Sequence, residues 1–284
     1  MTVRSLRQQI QESVEELRGV CPQRPEAGVI LGSGLGSLAE KIEGAVSVPY
    51  AEIPGFPVST VEGHAGHLIF GRIGGVPCAV MNGRAHYYEG YSMKEVTFPV
   101  RVLRALGARM LIVSNAVGGL NPNFALGDLV VAVDHINLMG DNPLIGPNDD
   151  ELGPRFPDMS EPYDLRLVAL AERLALEERL TLRKGVFVAV AGPNLETRAE
   201  YRFLRWIGAD VVGMSLIPEA LVAIHGGMKV VALSVITDMG LPDALEPANI
   251  DRILRVAAEA EPKLTRLVVR LLEESSKSMG EPSA

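Results

Sequence analysis

The chain has 284 residues, of which 47% are hydrophobic, 22% charged and 5% aromatic, a globular composition that excludes disordered and fibrous classes. Its 27 Lys and Arg against 35 Asp and Glu leave a formal charge of −8, which argues against a nucleic-acid partner, since such proteins present a basic face. An anionic ligand would have to be held by a local arrangement of donors, against the background field.

Val3, Leu6, Ile10, Val14 and Leu17 recur at helical spacing and predict an amphipathic helix in the first twenty residues. Ala27–Leu31 reads as a strand that breaks into the glycine-rich turn Gly32-Ser33-Gly34-Leu35-Gly36. His67–Ile73 and Val76–Met81 read as two strands joined at Gly74-Gly75. Ser92-Met-Lys-Glu95 is a capping box, opening a helix with Val96, Val100, Leu103 and Leu106 on one face. Met110–Ser114 is an apolar strand, followed by Asn115–Gly119 as a second glycine loop, and Leu129–Val133 is the next strand. Residues 142–162, rich in Pro, Gly, Asn and Asp, form the longest irregular segment, a length usually tied to function.

Leu165–Leu180 is predicted helical and Gly185–Val190 extended. A second capping box, Thr197-Arg-Ala-Glu200, starts the helix containing Trp206. Val211–Met214, Pro218–Ile224 and Val230–Ile236 follow as strand, short helix and central strand. Ala248–Leu272 closes the chain as a helix kinked or broken at Pro262, and 275–284 reads as a disordered tail after a domain spanning 1–274. Strands alternating with helices predict an α/β fold, a single domain with a central mixed sheet. Cys21 and Cys78 form neither a disulfide framework nor a CxxC zinc pair, and read as buried small hydrophobes in a reduced compartment. Polar residues from Arg4 to Glu15 interrupt any apolar signal region, and no apolar run is long enough to span a bilayer. The expectation is a cytoplasmic protein with no membrane partner.

Ligands of α/β sheets bind beyond the carboxyl ends of strands, so the strand-exit segments carry the candidates. Gly32-Ser33-Gly34 offers bare amides and a hydroxyl to an oxyanion, or is a tight structural turn. It is not a dinucleotide fingerprint, because Ser37 stands where the third glycine is needed, and no Walker lysine follows. Arg84, His86 and Tyr88 in Gly83–Gly90 supply a planar fork of donors, a second donor and a ring with a polar tip; the alternative is a surface Arg beside packed aromatics. His64 and His67 lack companions at metal-ligand spacing, so no metal is expected. His135 and His225 read as ordinary hydrogen-bonded histidines. Glu196, Ser215 and Asp238 also fall at strand exits, where a carboxylate is either a helix cap or a ligand contact.

These segments match a known family. Leu31–Gly36, Val61–His64, Gly83–Gly90, Ser114–Gly119, His135–Asn137, Ala191–Thr197 and Gly208–Ser215, in this order, resemble the trimeric purine nucleoside phosphorylases. The resemblance implies a barrel-like mixed sheet flanked by helices, a homotrimer and purine salvage, with purine nucleosides and phosphate as substrates and no cofactor. It assigns phosphate to Ser33, His64, Arg84, His86, Ala116 and Ser215, and ribose to Tyr88, Met214 and Ile250. The base falls to Ala116, Leu195, Glu196, Val212 and Asp238, with His86, Glu196 and Asp238 catalytic. Leu152 would reach the neighbouring subunit.

Three positions depart from the family pattern. Asp238 stands where relatives acting on inosine and guanosine have Asn, which tilts the expectation toward adenosine. Protonated, it could also donate to N7. Ile250 replaces a His near the 5′-hydroxyl, which opens 5′-methylthioadenosine as an alternative substrate; strict 6-oxopurine specificity is a second alternative. Leu152, like Leu195, replaces a Phe. A nucleoside-binding protein without catalysis and a nicotinamide enzyme are the readings from other classes.

Overall fold

In the computed structural model the described residues are 4–32, 36–60 and 65–279. Ser33 and His64, both expected at the phosphate site, lie outside them. Among the described residues nine strands form one sheet, in the order β2 (Glu43–Pro49), β3 (His67–Ile73), β4 (Val76–Asn82), β1 (Ala27–Leu31), β5 (Met110–Gly119), β8 (Val211–Gly213), β7 (Leu182–Val190), β6 (Leu129–Leu138), β9 (Lys229–Met239). Because β9 also pairs with β5, the last five strands close into a ring. Both parallel and antiparallel pairs occur: β1 runs parallel to β4 and β5, β5 parallel to β9, and β8 antiparallel to β5. The fold is therefore a single α/β domain around a mixed, barrel-like sheet.

β1 is buried along its whole length, and so is β5 except at Ala116. Continuous apolar runs of this kind belong to strands covered on both faces. Six helices do the covering: α1 (Leu6–Arg18), α2 (Met93–Leu106), α3 (Leu165–Glu177), α4 (Arg198–Trp206), α5 (Ile217–His225) and α6 (Ile250–Met279). Reciprocal capping boxes at Ser92/Glu95 and Thr197/Glu200 open α2 and α4, as the sequence predicts, and Ser5/Gln8 adds one at α1.

Four expectations are corrected. Asn115–Gly119 is not a loop but the second half of β5. Close neighbours favour glycine there, since a Cβ on Gly119 would lie 2.7 Å from Met239 Sδ and one on Gly118 3.2 Å from Val212 Cγ1. Helix α6 is not broken at Pro262 and extends through the buried Ser275 to Met279. Ala257, Ala260, Leu264, Leu267 and Leu271 are all buried, and their packing outweighs the roughly 3 kcal/mol that an interior proline costs. Cys21 is partly exposed, its thiol donating to the Gln23 carbonyl at 2.9 Å, while Cys78 is buried as expected. The edge strand β2 has no counterpart in the sequence reading. No helix among the described residues is long and apolar enough to cross a membrane.

Candidate active site

At the carboxyl ends of β1, β5 and β9, a cavity of about 210 Å³ opens between the glycine turn, the barrel rim and the start of α6. It brings together Arg84, His86, Tyr88, Ala116, Leu195, Glu196, Val212, Met214, Ser215, Asp238 and Ile250. Every described residue that the sequence assigns to phosphate, ribose or base therefore lines one space. Leu152 does not; it lies half-buried in a separate groove beside Phe98 and His225. His135 and His225 are elsewhere, with Nδ1 of His135 3.2 Å from the Tyr163 hydroxyl and Nε2 of His225 3.3 Å from Asn148 Oδ1. His67 pairs with Ser47 at 2.8 Å. No cluster of three or more His, Cys, Asp or Glu suited to a metal occurs among the described residues.

The close approach of backbones builds one end of the cavity. Gly32 runs against β5, where a Cβ would sit 2.7 Å from both Asn115 Cα and the Ser114 oxygen. Arg84, 2% exposed, follows β4 and donates from Nη1 to Glu219 Oε1 at 2.9 Å and from Nη2 to the Ser114 carbonyl. The guanidinium is thus held by a helix on one side and a strand on the other. Glu219, also 2% exposed, sits in the first turn of α5, whose other buried residues are apolar apart from His225 at its end.

His86 is fixed in the same way. Its backbone N–H and its Nδ1 both meet Glu89 Oε1, at 2.7 and 3.0 Å, and its ring stacks on Tyr88 with centroids 4.7 Å apart. Burial pushes the Glu89 carboxyl up, but hydrogen bonds from the Thr60 backbone, the His86 ring and the Thr60 hydroxyl outweigh it and hold the group below the usual carboxylate range. Burial, together with the Glu89 charge, pushes the Tyr88 phenol up to about 12, with Arg84 opposing.

Ser215 owes its place to a strained turn. Leu216 adopts φ +77°, and Ile217 N–H bonds back to the Ser215 carbonyl at 3.0 Å, the rare γ-turn that a branched residue adopts only under constraint. The turn starts α5 with no side-chain cap; the Ile217 amide is spent on the Ser215 carbonyl and Pro218 has none, so the turn fixes the direction of Ser215.

The other end is less buried and carries two carboxylates. Burial raises Glu196, as does the nearby Asp238 charge, while Tyr201 opposes. Burial likewise raises Asp238, against a hydrogen bond from the Thr237 hydroxyl at 3.2 Å. Asp238 faces Gly118, whose Cβ would lie 3.4 Å from Oδ2. The remaining surface here is aliphatic, from Val117, Leu195, Val212, Ile250 and Ile253. Among the described residues, His86 and Tyr88 are the only rings in the lining.

The sequence reading missed Glu89, Glu219 and Asn115. Glu89 was legible as the acid three residues after His86, and Glu219 as a lone acid in an apolar helix. Asn115 lines the cavity with its Nδ2 buried and without a partner among the described residues. Nothing in the sequence signals the Leu216 turn.

Comparison with known proteins agrees with this arrangement. The family model of the phosphorylase superfamily matches residues 26–273. Purine nucleoside phosphorylase 1 of Geobacillus stearothermophilus is 49% identical over 269 residues, covering 95% of this chain and 98% of its own. Purine nucleoside phosphorylase of Bos taurus is 47% identical over 269 residues, covering 92% and 93%. Among solved structures, a Schistosoma purine nucleoside phosphorylase in complex with hypoxanthine aligns with a TM-score of 0.90 at 39% identity, over 96% of this chain and 99% of that one. The Schistosoma mansoni enzyme in complex with adenosine aligns with a TM-score of 0.89 at 39% identity, over 98% of each chain. With the cavity residues on the same segments that carry the sequence resemblance, the chain belongs to the phosphorylase superfamily and, within it, to the purine nucleoside phosphorylases, which are pentosyltransferases.

Proposed function

We propose that the chain catalyses reversible phosphorolysis of purine nucleosides to free base and α-ribose 1-phosphate, with adenosine accepted or preferred. The observation that carries this reading is the single cavity with a guanidinium, an imidazole and a serine at one end and two carboxylates with raised pKa at the other. Arg84, His86, Ser215 and the Ala116 amide hold phosphate, together with Ser33 and His64. Tyr88 and Met214 pack the ribose. Glu196 takes the N1 edge of the purine and Asp238 faces N7 and the 6-substituent.

The reaction needs no protein nucleophile. As the C1′–N9 bond lengthens, positive charge develops on the sugar. A phosphate oxygen then forms the new bond to C1′ from the opposite face, with inversion, and the bonding pair leaves with the base. Fixed donors position the dianion and stabilise charge, which is where the rate comes from. An ionised Asp238 accepts from a 6-amino group and repels a 6-oxo oxygen; the protonated acid donates to N7. The neighbour's adenosine complex supports room for a 6-amino nucleoside in this fold.

The working assembly is a homotrimer that acts in the cytoplasm in purine salvage, with phosphate as co-substrate and no further cofactor. Support for the trimer comes from the 142–162 segment, which leaves Leu152 outside its own cavity and exposes Ile145 and Phe156, the latter 87% exposed. One observation favours 5′-methylthioadenosine as a further substrate: Ile250, at the cavity mouth, is 62% exposed and apolar.

Base release from inosine, guanosine, adenosine and 5′-methylthioadenosine, with and without phosphate, tests these assignments. Phosphate-dependent cleavage with adenosine among the good substrates is expected. No phosphate-dependent cleavage of any of them overturns the reaction. Strong inosine cleavage with none of adenosine overturns the role given to Asp238 and leaves a strict 6-oxopurine enzyme.

A further inference from the structure

The parallel strands β1, β5 and β9 have two ends, and the active-site cavity occupies only one. At the other end Ala27, Met110 and Lys229 lie side by side in register. There a wide cleft of about 1330 Å³ opens, and seven of its sixteen lining residues are Lys or Arg against three Asp or Glu. In a chain of net charge −8, this is a reversal of sign.

Most of the lining acids are already engaged. Asp164 caps α3 through the amides of Arg166 and Leu167 and lies 3.5 Å from Lys229. Glu274 pairs with Lys277 at 2.8 Å. Arg24, Arg109 and Arg166 make no side-chain hydrogen bond or ion pair among the described residues, and Arg104 donates only to the Gly226 carbonyl, at 2.7 Å. Among the described residues, four guanidinium groups therefore share the cleft with one carboxylate outside any ion pair, Glu26.

These cations are set in place by the fold. Backbone hydrogen bonds of 2.9 Å run from Arg109 N to the Glu26 oxygen and from Lys229 N to the Arg109 oxygen. Two cations thereby sit on neighbouring strand ends, about 5 Å apart in strand spacing, where like charges repel. Arg24 lies flat across Gly107, where a Cβ would fall 2.5 Å from Arg24 Cγ; any side chain there would displace it. Anchored at Nε, Arg104 keeps its two terminal nitrogens for another acceptor. Four planar forks, two just before β1 and β5 and two on α2 and α3, left largely uncompensated, suit several linked oxyanions better than one.

We propose that this cleft is a second binding site, selective for a linear polyphosphate group, either inorganic or as the tail of a nucleotide. It is separate from the active-site cavity, with which it shares no lining residue.

Isothermal titration with tripolyphosphate, ATP and AMP tests it, in magnesium-free buffer with inorganic phosphate and hypoxanthine present. Tripolyphosphate and ATP are expected to bind alike and AMP far more weakly, with affinity falling as salt rises. Arg109→Glu/Arg166→Glu should weaken tripolyphosphate at least about tenfold, since each charged hydrogen-bond donor is worth that much or more. The milder Arg24→Gln/Arg166→Gln gives the same readout if charge reversal impairs folding. Arg84→Gln should leave binding unchanged. The proposal is overturned if tripolyphosphate does not bind at millimolar concentration. Wild-type affinity in both double variants, or loss of binding in Arg84→Gln alone, overturns it as well. ATP binding without tripolyphosphate binding would mean that the base is read instead, and overturns the polyphosphate assignment.

Discussion

At one end of the active-site cavity Arg84 and Glu219 are each 2% exposed and bonded to one another across two elements. At the other, Glu196 and Asp238 are half-buried at the mouth, among aliphatic side chains. The first end is a cation neutralised and locked before any ligand arrives. The second is a pair of acids whose charge is left adjustable, because burial raises both. On the proposed assignment the contrast is a division of labour: the end given to phosphate is stiff and common to every substrate, while the end given to the base carries groups that a proton can switch.

The contrast breaks most directly at Glu219. Glu219→Ala leaves a buried guanidinium without its counter-ion and should cost about 3–5 kcal/mol of stability. Glu196→Ala at the opposite end should cost less than about 1 kcal/mol. Thermal denaturation of the two variants compares them, and equal losses would erase the distinction. Next in size, Arg84→Gln should lower phosphorolysis by about 10²–10³-fold, the loss typical of one preorganised donor. The ratio of adenosine to inosine cleavage should stay where it was.

Asp238→Asn should do the reverse, shifting that ratio toward inosine by about 10–10²-fold while leaving the phosphate KM in place. The smallest effect is on pH. With its folded pKa raised, Asp238 contributes stability that is complete below the ordinary carboxylate range and lost as pH rises through the raised value. The wild type should therefore favour adenosine increasingly as Asp238 ionises. Asp238→Asn should flatten this trend and gain in Tm relative to wild type on the alkaline side. A ratio independent of pH in the wild type would show that the charge on Asp238 does not select the base.

Much of this site was legible because its residues sit at strand exits with unusual chemistry: Arg84, His86, Glu196, Ser215 and Asp238 all line the cavity. Fold class was legible from apolar runs such as Met110–Ser114 and Val230–Ile236. The failures have physical causes. Gly118 and Gly119 look like turn residues, yet they lie within a strand, packed closely against Val212 and Met239. Strand β2 is mostly exposed and lacks an apolar face to betray it. Glu89 was within reach of spacing, three residues after His86; Glu219 stood out as an acid in an apolar helix, but its pairing with Arg84, 135 residues away, cannot be read from spacing. The basic cleft draws on five separate segments and is invisible as a motif.

The closed ring of β5, β8, β7, β6 and β9 has a further consequence. Gly118 is paired on one side with Val212 and on the other with Asp238, so this stretch of β5 has no edge from which to fray. Amide exchange at the floor of the cavity is then tied to opening of the barrel as a whole, and its protection should approach that of global unfolding. The segment from Leu241 to Asn249, beside the cavity, holds a single short turn, Pro242–Ala244, and should exchange by local opening. The floor under the substrate should then move only when the molecule unfolds, and the segment beside it on its own.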